Sequence, residues 1–159
     1  MLANDILNYV IRPLLQITNL WSPEAEILVF GTGMVETNYN YLMQSGAPTV
    51  GAIGFWQMEK ATYLDHCKWL KHPDRRVLLN GILGSCYYEI LPTDPSALAV
   101  NLRLAALLCR VHYLRVQERL PHGSAADFAA YHKKYYNTSK GKADADKNTA
   151  VFQRIIDGH

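Results

Sequence analysis

The stretch PSALAVNLRLAALLCRVHYLRVQE, residues 95–118, decides the fold class. Apolar side chains lie on nearly every side of the helix that this stretch would form: Leu98, Leu102, Ala105, Leu108 and Val111. A helix that is apolar nearly all round is buried in a core. The stretch therefore predicts a helix from Pro95 to Glu118 at the centre of the protein, and it indicates a mainly α fold.

Helix signals continue on both sides of this stretch. Residues 2–16 carry apolar side chains at intervals of four, and Pro13 inside that pattern predicts a helix that kinks or ends early. Ser22 and the proline after it predict the start of a helix that runs from Pro23 to Tyr41. Gly31 and Gly33 inside that helix indicate close packing against a neighbouring element. Further helices are predicted over residues 60–70, 74–90 and 124–136, and over a short segment that carries Val151, Phe152, Ile155 and Ile156.

Length and composition predict one ordinary folded domain over residues 1–159. The chain is 49% hydrophobic and 19% charged, which excludes a disordered protein. Sixteen basic and fourteen acidic side chains leave a net charge of +2, so the charge balance does not favour nucleic acid as a partner. Residues 137–148 are polar, and we predict that they form a mobile link to the last helix.

Cysteine usage and the first residues indicate where the chain is made. Cys67, Cys86 and Cys109 are few, odd in number and widely spaced, which is typical of free thiols in a reducing compartment. The cysteines and histidines show no paired spacing of metal ligands, so we expect no metal and no cofactor. The N-terminus lacks a basic leader and a cleavage site, and the longest apolar run, residues 27–35, is far shorter than the roughly 20 residues that span a bilayer. We expect synthesis in the cytoplasm without a signal peptide, and no membrane insertion.

Residues 35–62, VETNYNYLMQSGAPTVGAIGFWQMEKAT, carry the chemistry. Glu36 stands near the end of an apolar helix, and the glycine-rich residues 44–54 predict a loop or a small irregular sheet. The block GAIGFWQ occupies residues 51–57, and Thr62 follows it. A glycosidase needs a carboxylic acid that stays protonated near neutral pH, and apolar surroundings favour that form. The apolar neighbours of Glu36 make it the candidate acid.

These residues resemble the motif of the soluble lytic transglycosylases and goose-type lysozymes, which belong to the lysozyme-like superfamily. In that motif a helix-terminal Glu is followed by Ser or Thr, then by Gly-Ala-x-Gly-Leu-Met-Gln, and later by a Thr. Glu36 and Thr37 match the first pair, GAIGFWQ matches the block with Phe-Trp in place of Leu-Met, and Thr62 matches the last residue. The similarity covers under a fifth of the chain, and it is strongest to small lysozyme-like proteins of tailed phages, which are commonly virion components.

The resemblance implies a single lysozyme-like domain with a small irregular loop or β region after the helix that carries Glu36. It implies that Glu36 protonates the glycosidic oxygen between N-acetylmuramic acid and N-acetylglucosamine, and then acts as a base toward the sugar's primary hydroxyl or toward water. Glu59 and Asp65 are the nearest carboxylates in sequence if water must be activated. The implied partners are peptidoglycan glycan strands and other virion or tail proteins, with no cofactor. The residues expected to contact the glycan are Gly51, Gly54, Trp56, Gln57 and Tyr113.

Each of these expectations has a plainer alternative. Glu36 can be a solvated residue at a helix end, and Trp56 can belong to the core. For the whole chain, the alternative to an enzyme is a structural virion or tail protein that keeps the lysozyme-like fold without catalysis. An enzyme should leave Glu36 in an open groove near Gln57, whereas a structural subunit should have that groove filled or covered.

Overall fold

The computed structural model of the chain describes residues 2–43, 51–137 and 145–158, and within these ranges the fold is mainly α-helical, as predicted. The α-helices in chain order are α1 (Leu2–Asp5), α2 (Arg12–Ile17), α3 (Pro23–Glu36), α4 (Lys60–Leu70), α5 (Arg76–Cys86), α6 (Ala97–Val100), α7 (Leu102–Leu114), α8 (Ala125–Tyr135) and α9 (Ala145–Asp157). A π-helical segment, Ile6–Ile11, joins α1 to α2, and a 3-10 turn, Pro73–Arg75, precedes α5. One cluster of buried apolar side chains contains residues of every helix from α2 to α9.

Helix α7 lies at the centre of the core, as the apolar stretch predicts. Every residue from Leu104 to Val111 is buried. The helix is shorter than the predicted span of residues 95–118, because Asn101 has an extended backbone and separates α6 from α7. The Asn101 side chain accepts a hydrogen bond of 3.1 Å from the backbone N–H of Leu104 and so caps α7. Asparagine favours this position over the middle of a helix because its side chain competes for backbone hydrogen bonds.

The N-terminal helical segment continues past Pro13, so the predicted alternative of an early end is wrong. The turns before the proline are π-helical, and the backbone N–H of Arg12 bonds to the carbonyl of Leu7, five residues back. This wider spacing changes which residues face the core. The buried side chains are Ile6, Leu7, Ile11, Leu14 and Leu15. Leu2 is exposed and Val10 is half-buried, although both belong to the predicted apolar face.

Helix α3 begins as predicted but ends before the predicted boundary. Ser22 caps its start with a side-chain hydrogen bond. The helix ends at Glu36 rather than at Tyr41, because Asn38 and Tyr39 have positive φ angles of 49° and 54°. A right-handed helix does not continue through such residues. Glu36 therefore stands at a true helix end.

The two glycines of α3 permit close packing, as predicted. A Cβ on Gly31 would overlap the ring of Phe152 on α9, and a Cβ on Gly33 would overlap the ring of Tyr39. Both rings are buried. The first contact brings α9 against α3, and the second folds the chain that follows α3 back onto the helix.

The last two helices pack against each other and against α3. Ser124 and Asp127 form the predicted capping box at the start of α8. Helix α9 is longer than the short helix that was predicted, because it begins at Ala145, inside the segment predicted as a polar link. Residues 138–144 of that link lie outside the described residues.

The middle of the chain agrees with the prediction at α4 and departs from it at α5. Helix α4 has the predicted bounds. Helix α5 ends at Cys86 instead of continuing to residue 90, because Tyr87 has a left-handed backbone with φ 61°. Within the described ranges, β structure is limited to isolated bridges of Ile53 with Met43 and Met58, and residues 44–50 of the predicted loop lie outside those ranges. None of the helices described is long and apolar enough to cross a membrane.

Candidate active site

Glu36 is the last residue of α3, at the point where the chain leaves the helix. Its side chain is 17% exposed, and its carboxyl oxygen Oε1 is buried. The hydroxyl of Tyr41 donates a hydrogen bond of 2.9 Å to the backbone carbonyl of Glu36, one of the carbonyls that a helix end leaves open. The carboxyl group is thus neither a fully solvated helix-end group nor a fully buried one.

The glycine-rich turn after α3 requires glycine at one position. Ile53 and Met58 exchange two backbone hydrogen bonds of 3.0 Å each, and the N–H of Gln57 bonds to the carbonyl of Gly54 at 3.0 Å. Gly54 has a φ angle of +78°, and a Cβ there would lie 2.8 Å from the carbonyl oxygen of Leu98. Because other residues are strained in this conformation, the motif glycine has a structural cause.

Two hydrogen bonds hold this turn against α3. The hydroxyl of Thr37 donates to the carbonyl of Phe55 at 2.8 Å. The indole N–H of Trp56 donates to the carbonyl of Val29 at 2.7 Å. Both bonds are buried, so they fix the turn close to the end of the helix. These bonds thus connect α3 and the residue after Glu36 to the glycine-rich turn of the sequence motif.

Three of the residues expected to contact a glycan are buried. Trp56 is 1% exposed and Tyr113 is 2% exposed. Trp56 packs edge-on against Tyr39, and its only polar group is bonded inside the core. The predicted sugar contacts of Trp56 and Tyr113 are therefore wrong, because neither ring presents a face to solvent. Gly54 is buried as well, and its role is to form the turn.

Gln57 and Gly51 remain near the surface of the turn. Both are half-buried. The side-chain amide of Gln57 donates a hydrogen bond of 2.8 Å to the carbonyl of Gly54, which stabilises the turn. A glycan contact of Gln57 or Gly51 stays a prediction.

The carboxyl group of Glu36 faces His132 of α8, a residue that the sequence analysis missed. Oε1 of Glu36 lies 3.3 Å from Nε2 of His132, and the histidine side chain is 0% exposed. Within the described part of the chain neither atom has an aligned hydrogen bond. The one signal in the sequence is that His132 follows Phe128 by four residues, which places a polar side chain on the apolar face of α8.

A chain of buried polar groups continues from His132 back to α3. Nδ1 of His132 lies 3.2 Å from the hydroxyl oxygen of Tyr113, which lies 2.7 Å from Oγ1 of Thr32. Thr32 in turn donates a hydrogen bond of 2.7 Å to the carbonyl of Leu28. Thr32 precedes Glu36 by one helical turn, so both ends of the chain of groups lie on the same side of α3.

The titratable groups around these buried polar side chains are held in their neutral forms. Burial raises the pKa values of Cys109, Tyr113 and Tyr136, and the negative charge of Glu36 raises them further. The ring of Tyr136 stacks on that of His132 with centroids 5.6 Å apart. Because the thiol and the phenols stay protonated near neutral pH and His132 is fully buried, the partly exposed carboxyl group of Glu36 is the group here that can meet a substrate.

No protein-family model, curated protein or solved structure matches the chain. The likeness to the lysozyme-like superfamily therefore stays a prediction from residues 36–62. The candidate function accordingly depends on the geometry of Glu36 and its neighbours.

A second polar cluster lies between α4 and the end of α7, beside a surface cleft of about 510 Å³. Nη1 of Arg115 lies 2.7 Å from Oδ2 of Asp65 and 2.7 Å from Nδ1 of His66. Nε2 of His66 lies 3.1 Å from Nδ1 of His112, and Nε2 of His112 lies 2.6 Å from the carbonyl oxygen of Tyr135. Since a guanidinium only donates and a carbonyl only accepts, each imidazole is neutral and carries its proton on Nε2.

Electrostatics agree with that assignment. Burial, with the charge of Arg115, lowers the pKa of His66 to about 3, and burial also lowers the pKa of His112. The hydrogen bond from Arg115 lowers the pKa of Asp65, so this carboxylate is paired rather than free to act as a base.

The described residues provide neither a metal site nor a reactive thiol. No group of three His, Cys, Asp or Glu side chains in the described ranges is placed to hold a metal ion. Cys67, Cys86 and Cys109 are buried free thiols. Burial raises the pKa of each, so they are protonated at neutral pH.

Proposed function

We propose that the chain cleaves the glycan strands of peptidoglycan at the bond between N-acetylmuramic acid and N-acetylglucosamine, as a muramidase or a lytic transglycosylase. The observation that carries the proposal is the position of Glu36. Its carboxyl group stands at a helix end, partly exposed, with one oxygen buried against His132. A general acid needs access to the substrate on one side and reduced solvation on the other, and Glu36 has both.

The reaction begins with a proton transfer from Glu36 to the glycosidic oxygen as the bond to the anomeric carbon breaks. The leaving sugar keeps that proton. The Glu36 carboxylate then accepts a proton from the primary hydroxyl of the muramic sugar, which closes an anhydro ring, or from water, which leaves a reducing end. Either route returns Glu36 to its protonated form.

Surface residues near Glu36 take the place of the buried aromatic rings in glycan binding. Tyr41 is 46% exposed, and its hydroxyl is bonded to the backbone of Glu36, so its ring is fixed beside the acid. An exposed aromatic ring with a polar tip is suited to a sugar face. Gln57 and Gly51 border the turn that packs against the same helix end. We assign these three residues to glycan contact.

The setting of the activity follows from the sequence motif. The similarity is to small phage-encoded members of the superfamily, so we place the chain in a phage virion beside other tail proteins. In that place another virion protein delivers the enzyme to the cell wall.

The test is digestion of purified peptidoglycan by the wild-type protein and by Glu36→Gln, with the products identified by mass spectrometry. We expect Glu36→Gln to lower the rate by about 100-fold or more, because the amide has no proton to donate. Glu89→Gln is the matched control, since Glu89 is exposed and lies beyond the end of α5. Anhydro products that depend on Glu36 establish a transglycosylase, and reducing-end products that depend on it establish a muramidase.

One observation favours a second function, a structural virion or tail protein that keeps the fold without catalysis. Trp56 and Tyr113 fill the core instead of lining a groove. If neither the wild-type protein nor the control releases fragments, the catalytic proposal fails and the structural function replaces it.

A further inference from the structure

The buried polar groups behind Glu36 have a determined hydrogen-bond direction. A carbonyl only accepts, so the hydroxyl of Thr32 uses its single proton on the carbonyl of Leu28 at 2.7 Å. The contact of 2.7 Å between the Thr32 and Tyr113 oxygens then requires the proton of Tyr113. The Tyr113 oxygen is left to accept from Nδ1 of His132 at 3.2 Å. His132 therefore carries a proton on Nδ1.

That assignment decides what faces Glu36. If neither Nε2 of His132 nor Oε1 of Glu36 carried a proton, two acceptor atoms would lie 3.3 Å apart in a place that water does not reach. Such an arrangement is strongly disfavoured in a buried site. We propose that His132 is a positioning residue for Glu36, which holds one proton between Nε2 and Oε1 while Tyr113 and Thr32 fix its tautomer.

The groups around the buried side of the pair carry no charge near neutral pH. The titratable groups that face the pair are Cys109, His112 and Tyr113 on α7 and Tyr136 after α8. None of these groups is charged near neutral pH, so none compensates a net charge on the pair. With one shared proton the pair is neutral, and the outer oxygen of Glu36, on the partly exposed side of the carboxyl group, takes up the further proton that it gives to the glycosidic oxygen.

The inference rests on the proposed function for its catalytic meaning. Holding Oε1 against His132 orients the carboxyl group, so that its other oxygen serves the glycosidic bond. Orientation of this kind affects the turnover step more than substrate binding. The protonation of His132 itself does not depend on any activity.

The first experiment is nitrogen NMR of the side-chain imidazoles at about pH 7. We expect Nδ1 of His132 to be protonated in the wild-type protein. Tyr113→Phe removes the acceptor for that proton, and we expect the population of the Nδ1–H tautomer to fall by about tenfold. Tyr135→Phe is the matched control, since its hydroxyl bonds to Glu118 on the surface and lies outside the chain of groups. An unprotonated Nδ1 in the wild-type protein would overturn the inference, whatever the activity.

The second experiment separates positioning from stability. An amide at His132→Gln reaches toward Oε1, whereas the shorter amide at His132→Asn reaches only toward Tyr113. We expect His132→Asn to lower kcat for glycan cleavage by about 10- to 100-fold with little change in KM, and His132→Gln to recover a large part of that loss. Equal kcat values for the two variants would contradict a positioning role. If the wild-type protein does not cleave glycan, the role in catalysis fails together with the proposed function. The NMR signals of His132 still decide the rest: Nδ1 reports the tautomer, and a change at Nε2 in Glu36→Gln that is absent in Glu89→Gln reports the shared proton.

Discussion

Replacing Gly33 with alanine tests the contact that shapes the chain after Glu36. A Cβ on Gly33 would overlap the ring and the hydroxyl of Tyr39, and it would lie 2.6 Å from the ring atom Cε1. Tyr39 has little freedom to move, because it is 1% exposed and its hydroxyl donates a hydrogen bond of 2.9 Å to the carbonyl of Phe30. Its ring also packs edge-on against Phe55 and Trp56 in the glycine-rich turn. The substitution therefore displaces the turn together with the tyrosine.

The expected loss of stability follows from three contributions. Overpacking a buried site costs about 1–3 kcal/mol. Loss of the hydrogen bond from Tyr39 to Phe30 costs about 1 kcal/mol more. Alanine gains about 1 kcal/mol over glycine in a helix interior, which offsets part of this. We expect Gly33→Ala to lower the free energy of unfolding by about 1–3 kcal/mol.

Chemical denaturation measures the effect against a control within the same chain. Gly81 lies inside α5, and a Cβ there meets nothing within 4 Å. Gly81→Ala should therefore raise the free energy of unfolding by about 0.5–1 kcal/mol, since only the helix preference acts. The denaturation midpoints of Gly33→Ala and Gly81→Ala should move in opposite directions, while the slope of the free energy of unfolding against denaturant concentration stays the same. If Gly33→Ala is as stable as Gly81→Ala, the packing of Tyr39 on α3 is not as described.

Two further predictions concern the hydrogen bond of Thr37 beside Glu36 and the buried imidazole of His66. Thr37→Val removes a buried hydroxyl that donates to the carbonyl of Phe55. We expect chemical denaturation to show a free energy of unfolding lower by about 1–3 kcal/mol. A variant as stable as the wild-type protein would show that the turn does not depend on this bond. Burial lowers the pKa of His66 from 6.5 to about 3, so below pH 6.5 the unfolded chain binds a proton that the folded chain does not. Between about pH 6.5 and pH 3 the free energy of unfolding should therefore decrease as the pH is lowered, by up to about 1.4 kcal/mol per pH unit. His66→Gln should reduce this slope, and an unchanged slope would contradict a buried neutral imidazole.

Helix boundaries were predictable where a local signal sets them. The starts of α3 and α8 follow from the capping side chains of Ser22 and Ser124, and the end of α4 follows from the proline that comes shortly after it. The end of α3 was not predictable in this way, because the left-handed backbone at Asn38 and Tyr39 is stabilised by packing against Gly33. The start of α9 was missed for a related reason. Its first residues are polar, and the helix forms because its later apolar residues pack on α8 and α3.

The candidate site was predictable in its local part only. Glu36 and Gly54 lie within one short stretch, which indicated that the first stands near a helix end and that the second belongs to a turn. The burial of Trp56 and Tyr113 was not predictable, because a tyrosine or tryptophan has the same sequence signature in a core as in a sugar groove. His132 was missed because only the packing of α8 against α3 brings it to the carboxyl group.

The chain of buried polar groups from Thr32 to His132 is better explained by its end at Glu36 than by stability. A buried hydrogen-bonded pair contributes little more than apolar side chains of the same shape, and an incompletely paired group is costly. Thr32 and Tyr113 already satisfy each other and the carbonyl of Leu28, so the core does not require His132. The imidazole adds a fully buried ring that has an unpaired nitrogen unless Glu36 shares a proton with it. His132 on α8, Tyr113 on α7 and Thr32 on α3 together hold one oxygen of the Glu36 carboxyl group in place, and a fixed orientation is what the proposed acid catalysis needs.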